Sequence, residues 1–379
     1  MSSKILSLIL AGVAALCAQD TPLDPHSSVK INLPADSPVS LISANMGESR
    51  ASARGGAMLL DLHMELTLRN SGPRNIRGVT LLVLAQEVTP GGRASATQTS
   101  LDVSPGAVFP MHISVRLLRP LQVAGGPLVE VSLDGVLFDN LYFYGPNRLE
   151  SRRSLTAWEL EAQRDRQHLK SVLAAYGPEG LKRSMLDSLN RQAERPRLDV
   201  IVSRGGRSTT SAAGAERTAQ FAFLKFPDAP VEALAGSAQI AGSEARAPRV
   251  QIRNRSAKPV RYVELGWIVR DRQGREFMAA SLPASNPELL LAPGQSDHLL
   301  QDSTLKFSRN GAEAIAVDGM TGFISQVEYA DGKVWVPNRT SLESAQLLRV
   351  LAPSPEEQRL TDLYRKKGLS ALMEELKKF

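Results

Sequence analysis

The sequence predicts a mainly β protein: two consecutive antiparallel sandwiches, each followed by a helical appendage. Three observations carry this expectation. Short segments alternate apolar and polar residues with turn residues between them, helical periodicity is confined to two stretches, and the chain repeats itself at the spacing of a domain.

The repetition is explicit. Pro146-Asn147-Arg148 followed by Leu149-Glu150-Ser151 returns as Pro337-Asn338-Arg339 and, two residues further on, Leu342-Glu343-Ser344. Leu68-Arg69-Asn70 matches Ile252-Arg253-Asn254, and Ile76-Arg77, Val79, Leu81 and Val83 match Val260-Arg261, Val263, Leu265 and Trp267, all 184 positions apart. Pro105-Gly106 and Pro293-Gly294 are separated by 188, and Asp36-Ser37-Pro38-Val39 and Asp228-Ala229-Pro230-Val231 by 192. The offset drifts at loops while strands stay in phase, as a tandem duplication requires.

Residues 1–18 carry Lys4, then an apolar run from Ile5 to Ala18, and read as a secretory signal cleaved between Ala18 and Gln19. The single cysteine, Cys17, lies inside that segment. Lipidation of Cys17 is the open alternative, although Leu16 fits lipoprotein processing poorly. Cleaved after Ala18, the mature chain has no thiol for a disulfide, a nucleophile or a metal. No second stretch reaches the roughly 18 apolar residues of a membrane span. An exported, periplasmic or extracellular protein is expected.

With 45 basic and 39 acidic side chains the formal charge is +6, and aromatics are 5% of the chain. Basic and acidic residues are intermingled, so neither a basic face nor a stacking platform for nucleic acid is expected.

The first sandwich is expected over 25–147. Leu62, Met64, Leu66 and Leu68 alternate with His63, Glu65, Thr67 and Arg69, which places one face inward and one outward. Asn70-Ser71-Gly72-Pro73 is a turn, and Ile76 to Ala85 the next strand; Gln98 to Val103, Met111 to Leu118, Leu128 to Leu133 and Val136 to Tyr144 follow.

Residues 148–196 form the first helical appendage. Thr156 and Glu159 suit a capping box, Leu155, Trp158, Ala162, Leu169, Val172 and Tyr176 share a stripe, and Gly177-Pro178 precedes a shorter helix with Leu181, Met185 and Leu189. The second sandwich is expected over 197–341, with a strand at Val200 to Val202, a flexible loop at 203–219, a turn from Asn254 to Pro259 and a strand from Val260 to Val269. The second appendage, 342–379, contains a helix start at Ser354-Pro355-Glu356-Glu357. There Leu360, Leu363, Tyr364, Gly368, Leu369 and Met373 align with Val172, Ala175, Tyr176, Gly180, Leu181 and Met185 at an offset of 188.

Chemistry-bearing motifs are sparse. His26, His63, His112, His168 and His298 have no metal-ligand spacing and read as surface residues. Asp297 and His298 are strand neighbours and point to opposite faces. Ser27-x-x-Lys30 and Ser303-x-x-Lys306 match a penicillin-binding spacing without its helical context or partner motifs. Glu159 and Glu161 read as solvated charge on a helix. Asn254-Arg255-Ser256 and Asn338-Arg339-Thr340 have the form of glycosylation sequons, but Asn254 aligns with Asn70, which lacks one, and a turn role suits both. The repeated junction, Asn147-Arg148 and Asn338-Arg339, is the best candidate for a specific interaction. Its structural alternative has asparagine turning the chain and arginine pairing with a helix acid or carbonyl.

An apolar strand, an asparagine, a short turn, a second strand and an Asp-x-x-Gly loop run from Ile252-Arg253-Asn254 to Asp271-Arg272-Gln273-Gly274. This resembles the FxLYD-type immunoglobulin-like domains of secreted bacterial proteins over about one hairpin per copy. In the first copy Glu87 and Gly91 stand where the Asp and Gly are, at different spacing. The resemblance implies an extracytoplasmic immunoglobulin-like sandwich and supplies no catalytic residue. The expected function is non-enzymatic binding or scaffolding at the cell envelope, without cofactor or metal, toward a protein or envelope polymer. Two rivals remain: a hydrolase of cell-wall material with a dispersed site, and a peripheral protein holding an anionic membrane surface through Arg148, Arg152, Arg153 and Lys377-Lys378-Phe379.

Overall fold

The computed structural model describes residues 21–22, 28–121, 126–195, 198–204, 216–283, 289–300, 303–309 and 313–379. The signal segment with Cys17, Ala18 and Gln19, together with His26 and most of the 203–219 loop, lies outside the described residues. The chain divides into two compact units between Leu149 and Glu150.

The first unit contains β1 (Thr21–Pro22), β2 (Val29–Asn32), β3 (Val39–Asn45), β4 (Arg50–Arg54), β5 (Ala57–Asn70), β6 (Ile76–Leu84), β7 (Arg93–Gln98), β8 (Val108–Pro120), β9 (Val129–Phe138) and β10 (Phe143–Tyr144). One sheet is built on β5, paired antiparallel with β8 along one edge and with β4 and β3 along the other. The second runs β10-β9-β6-β7, with β2 parallel to β9. The alternation of β5 explains the layering: Leu62, Met64, Leu66 and Leu68 are buried, whereas His63, Glu65 and Arg69 face solvent. With Met111 and Ile113 they meet Val79, Leu81, Val83 and Val131 of the other sheet in one apolar core. Each such side chain contributes roughly 1.5–3 kcal/mol by leaving water.

The second unit contains α1 (Ser151–Glu194), β11 (Asp199–Arg204), β12 (Arg217–Gln220), β13 (Ala222–Phe223), β14 (Val231–Ala241), β15 (Glu244–Asn254), β16 (Val260–Asp271), β17 (Glu276–Pro283), β18 (Ser296–Leu300), β19 (Ser303–Arg309), β20 (Glu313–Ala314), β21 (Val317–Tyr329), β22 (Val334–Trp335), α2 (Arg339–Ser344), a 3₁₀ turn (Leu347–Arg349) and α3 (Pro355–Lys377). Its sheets run β11-β19-β15-β14-β12 and β13-β21-β16-β17, sharing a core around Trp267, Phe307, Leu265 and Ile324. The expected strand at Val200 to Val202 is part of β11, and the ends of the 203–219 loop are drawn into β11 and β12.

The same pairings occur in both units. Ile76, Val79 and Leu81 oppose Phe138, Val136 and Leu133; Val260, Val263 and Leu265 oppose Tyr329, Val327 and Ile324. Both ladders slip at the equivalent step, between Thr80 and Leu81 and between Glu264 and Leu265. Asn70 Nδ2 donates to the Arg74 and Val103 carbonyls, each at 2.8 Å, and its Oδ1 accepts from Gly72 N–H. Asn254 repeats this toward Lys258 (2.8 Å), Leu291 (2.9 Å) and Ser256. Both asparagines are fully buried, and each satisfies backbone groups of its turn, among them the buried carbonyls of Val103 and Leu291.

The helices depart from the sequence expectation in two respects. α1 begins at Ser151, so Thr156 lies inside it rather than at its cap; Glu150, in a left-handed conformation, precedes the first turn. The chain turns early because buried Asp134 accepts the N–H groups of Arg148 (2.7 Å) and Leu149 (3.2 Å). Second, the kink of α1 is at Gly177 (φ 65°) and that of α3 at Gly368 (φ 81°), an offset of 191 rather than the 188 that paired Gly180 with Gly368. At 191 the buried residues coincide: Leu169 with Leu360, Leu181 with Leu372, and Met185 with Leu376. The Pro-Asn-Arg triplets are also 191 apart. α1 belongs to the second unit, where it packs against α3.

The outer face of β16 and β21 is covered as well. Ile268 and Phe323 pack against Leu342, Leu347 and Val350, and Gly266 leaves no space for a Cβ beside the Phe323 ring.

Candidate functional site

That covering leaves a cavity of about 480 Å³ inside the second unit, bounded by α1, the outer face of β16 and β21, and the stretch from Val336 to Pro355. Its size suits a small ligand or a side chain of a partner. Trp158, Met278, Phe323, Leu342 and Leu351 give apolar walls, and Glu161, Glu264, Gln326 and Arg164 bring polar groups to them.

Local structure aims these groups. Trp158 and Glu161 are three residues apart on α1 and share one helix face. Glu264 and Gln326 are direct cross-strand partners, so their side chains leave the sheet on the same side. The ladder slip next to them sets Ser325 beside Gln326 on the cavity lining.

The two carboxyls differ. Tyr262 O–H donates to Glu264 Oε2 at 2.7 Å, and the Arg153 guanidinium lies 3.7 Å from the Tyr262 ring centre. Burial and the neighbouring Glu264 charge raise the Tyr262 phenol above its ordinary range, so it remains a donor. Glu161 is pushed up to about 7, first by burial and then by Asp165 and Glu264, against the pull of Arg164. It is therefore about half protonated near neutral pH, in a lining it shares with the Glu264 carboxyl that accepts the Tyr262 hydroxyl. Gln326 is 9% exposed, and its amide nitrogen has no hydrogen-bond partner. An orphaned buried donor costs roughly 1–3 kcal/mol.

A polar network fixes the frame. Arg164 donates from Nε to Asp165 (3.1 Å) and from its terminal nitrogen to the Pro337 carbonyl (3.1 Å). Asp165 accepts from the Ser354 hydroxyl (2.6 Å), and Ser354 caps α3 by accepting from Glu357 N–H (3.0 Å). Arg166 donates to Glu159 (2.6 Å) and Glu356 (3.2 Å), and its guanidinium lies 4.1 Å from the Phe379 ring centre. Glu159 and Glu161 are thus not solvated helix charge. The face that carries them is covered by α3 and the Val336–Pro355 stretch, one residue engaged by an arginine and the other lining the cavity.

The junction candidates are placed separately. Asn147 is left-handed (φ 58°) and exposed Arg148 gives its N–H to Asp134. Asn338 is extended and caps α2, its Oδ1 accepting from Ser341 N–H at 2.8 Å, while Arg339 pairs with Glu343 (2.8 Å) and approaches Asp165 (3.8 Å). The identical triplets make different local bonds, and each pair lies in its own unit.

Sequence reasoning missed one assembly in the first unit. His63 Nδ1 lies 3.2 Å from Ser114 Oγ, and His63 Nε2 3.3 Å from Asp61 Oδ1. Asp61 and His63 are two apart on β5, and Ser114 is the ladder partner of His63, a placement only strand register could reveal. Burial opposes ionisation of Asp61, but Arg116, His63 and Arg50 outweigh it and hold the carboxyl below its usual range. His63 and Ser114 are both exposed, and acyl transfer works best where the reacting groups are taken out of water. His112 pairs with Glu65 at 3.2 Å on the same face. At Asp297 and His298 the carboxylate accepts the backbone N–H of His298. Ser303 and Lys306 lie on strand β19, where residues three apart take opposite faces.

The cations suggested for a membrane surface are largely engaged internally. Buried Glu328 is held by Arg152 (3.2 Å), Arg153 (3.5 Å) and Arg261, while Lys377 bonds Glu374 (2.6 Å) and Lys378 bonds Glu375 (2.7 Å). Among the described residues no helix is long and apolar enough to cross a membrane, and no group of three His, Cys, Asp or Glu side chains is arranged to hold a metal.

No family model and no curated protein matches the chain. Solved structures give distant likenesses. A β-glucosidase from Kluyveromyces marxianus has 8% identity and a TM-score of 0.15, covering 71% of this chain and 45% of that one. Red sea bream transglutaminase has 10% identity and a TM-score of 0.13, covering 76% and 31%. A chain described as pT26-6p has 8% identity and a TM-score of 0.17, covering 89% and 72%. This chain thus spans less than half the length of the first two.

Proposed function

We propose that this is an exported binding or scaffolding protein of the cell envelope. It is built from two immunoglobulin-like sandwiches that descend from one ancestral unit and its helical tail. The recurring ladder slips, the equivalent buried asparagines and the 191-residue offset of both junctions and kinks support the duplication. Cleavage before Gln19 would release the protein to the periplasm or beyond, where a protein or envelope polymer is the partner.

The observation that carries the binding reading is the apolar-walled cavity with Glu161, Glu264 and Gln326 on its lining. Few polar groups among apolar walls is the usual make-up of a recognition site. The test is capture of partners from the cell's own envelope with the full chain, identified by mass spectrometry. A partner held by the wild type and lost in a cavity-filling Leu351→Trp variant supports the reading. Equal capture by both defeats it.

A second reading is hydrolysis of cell-wall material, favoured by one observation: Glu161, pushed up to about 7, shares the cavity lining with a second carboxyl, Glu264, and can carry a proton as a general acid does. Release of soluble fragments from isolated wall material, abolished by Glu161→Gln, would establish hydrolysis in place of binding alone.

A further inference from the structure

We infer that the cavity binds an ammonium group carried on a short apolar stem, an assignment that rests on the binding reading above and narrows it to one ligand chemistry. Two carboxyls, Glu161 and Glu264, reach the cavity from opposite walls. Glu264 has the Tyr262 hydroxyl, but among the described residues no hydrogen bond or ion pair holds the Glu161 carboxyl. The nearest cation cannot take that place, because Arg164 is turned to Asp165 and to the Pro337 carbonyl. Arg195 completes the charged lining.

A second observation points to a ligand independently. Gln326, nine-tenths buried beside Glu264 in the ladder, has an amide nitrogen without a partner. That donor takes an acceptor oxygen carried elsewhere on the ligand, since the ammonium itself only donates. Trp158 and Phe323 bring aromatic rings to the lining, and Met278 offers an adaptable wall to the stem. Neutral ligands would leave Glu161 in its protonated form and gain nothing from the second carboxyl.

Proton linkage gives the assignment a signature. The groups facing Glu161 are Arg164 and Asp165 on α1 and Glu264 on β16. An ammonium arriving among them favours the ionised form, so binding expels a proton and strengthens as pH rises through 7. The source of the ammonium is either a small amine or the lysine side chain of a partner.

Calorimetric titration of the full chain uses hexylammonium chloride, 1-hexanol of equal length, and an acetylated pentapeptide with one lysine. Hexylammonium is expected to bind at least tenfold tighter than hexanol, and several-fold tighter at pH 8 than at pH 6. The observed binding enthalpy should differ measurably between phosphate and Tris buffers, as proton release on binding requires. Glu161→Gln should remove the pH dependence and most of the preference for the cation, and Glu264→Gln should weaken the cation with its thermal transition intact. Tighter binding of the peptide assigns the ammonium to a partner's lysine, and binding of hexylammonium alone assigns it to a small amine. Equal affinity for hexanol and hexylammonium, no binding of either cation, or an unaffected Glu161→Gln variant overturns the inference. If envelope partners are still captured and hexylammonium fails to compete, the ammonium assignment falls while the binding reading stands.

Discussion

Arg166 is the most consequential charge in the second unit, and Arg166→Leu is the perturbation that tests how its helices are held. Its side chain is 5% exposed and serves two buried carboxylates, Glu159 on α1 and Glu356 at the start of α3. Removing one partner of a buried ion pair costs about 3–5 kcal/mol, because the remaining charge is left without compensation. Arg359 still holds Glu356, with contacts of 2.8 and 2.9 Å, so the low end applies at that carboxylate. Glu159 keeps Gln163, at 3.1 Å, but loses its charged partner. A loss of about 3 kcal/mol lowers the melting temperature of a unit this size by roughly 6–12 °C. In differential scanning calorimetry the transition of the second unit should fall by that amount and that of the first should stay in place. The deficit also has a sign in pH. In the variant Glu159 lacks the Arg166 guanidinium and burial favours its protonated form, so the deficit is smallest at low pH and grows as pH rises. A replacement of all three groups, Arg166→Met with Glu159→Leu and Glu356→Leu, should recover most of the loss. A shift under 2 °C in Arg166→Leu, or a triple variant no better than the single one, would refute the reasoning.

Glu161, raised to about 7, contributes stability that is present below its ordinary value of 4.5 and lost as pH rises toward and through 7. Glu161→Gln should therefore be more stable than wild type at pH 8, by about 1–3 kcal/mol after allowance for partial water access, and equal to it near pH 4.5; urea unfolding at both pH values measures this. Asn254→Ala strands the Lys258 and Leu291 carbonyls and Ser256 N–H, and should cost about 2–4 kcal/mol in the second transition, with Asn70→Ala doing the same to the first. Gly368→Ala meets no neighbouring atom, so its expected loss of about 1–3 kcal/mol is purely backbone strain at φ 81° and ψ −176°; an unchanged melting temperature would count against the kink.

β5 was legible because burial is written in alternation: a one-residue slip would turn Leu62, Met64, Leu66 and Leu68 out to water, whereas the strand expected over Gln98 to Val103 lies earlier, at Arg93–Gln98, and the two expected from Leu128 join into β9. Asn70 and Asn254 were legible as turn residues because few side chains can satisfy three backbone groups at once. The helical register was not. A shift of three residues keeps an apolar stripe on nearly the same face, so an offset of 188 fits the pattern almost as well as 191, and the positive-φ glycines together with the coinciding buried residues decide. The cavity was illegible for another reason. Its lining joins α1, β16, β21 and the Val336–Pro355 stretch, and Glu161 stands among polar sequence neighbours that resemble a solvated surface until α3 and that stretch cover the helix. The Ser114, His63 and Asp61 cluster depends on a cross-strand pairing between β5 and β8, which no local spacing encodes.

The central claim is that ligand recognition resides in the cavity of the second unit. Methyl-labelled methionine NMR reads it most directly, since Met278 lines the cavity whereas Met64 and Met111 are packed in the core of the first unit. On addition of hexylammonium or of a captured envelope partner, the Met278 resonance should move while those of Met64 and Met111 stay fixed. A bound partner that leaves Met278 unmoved would contradict the account.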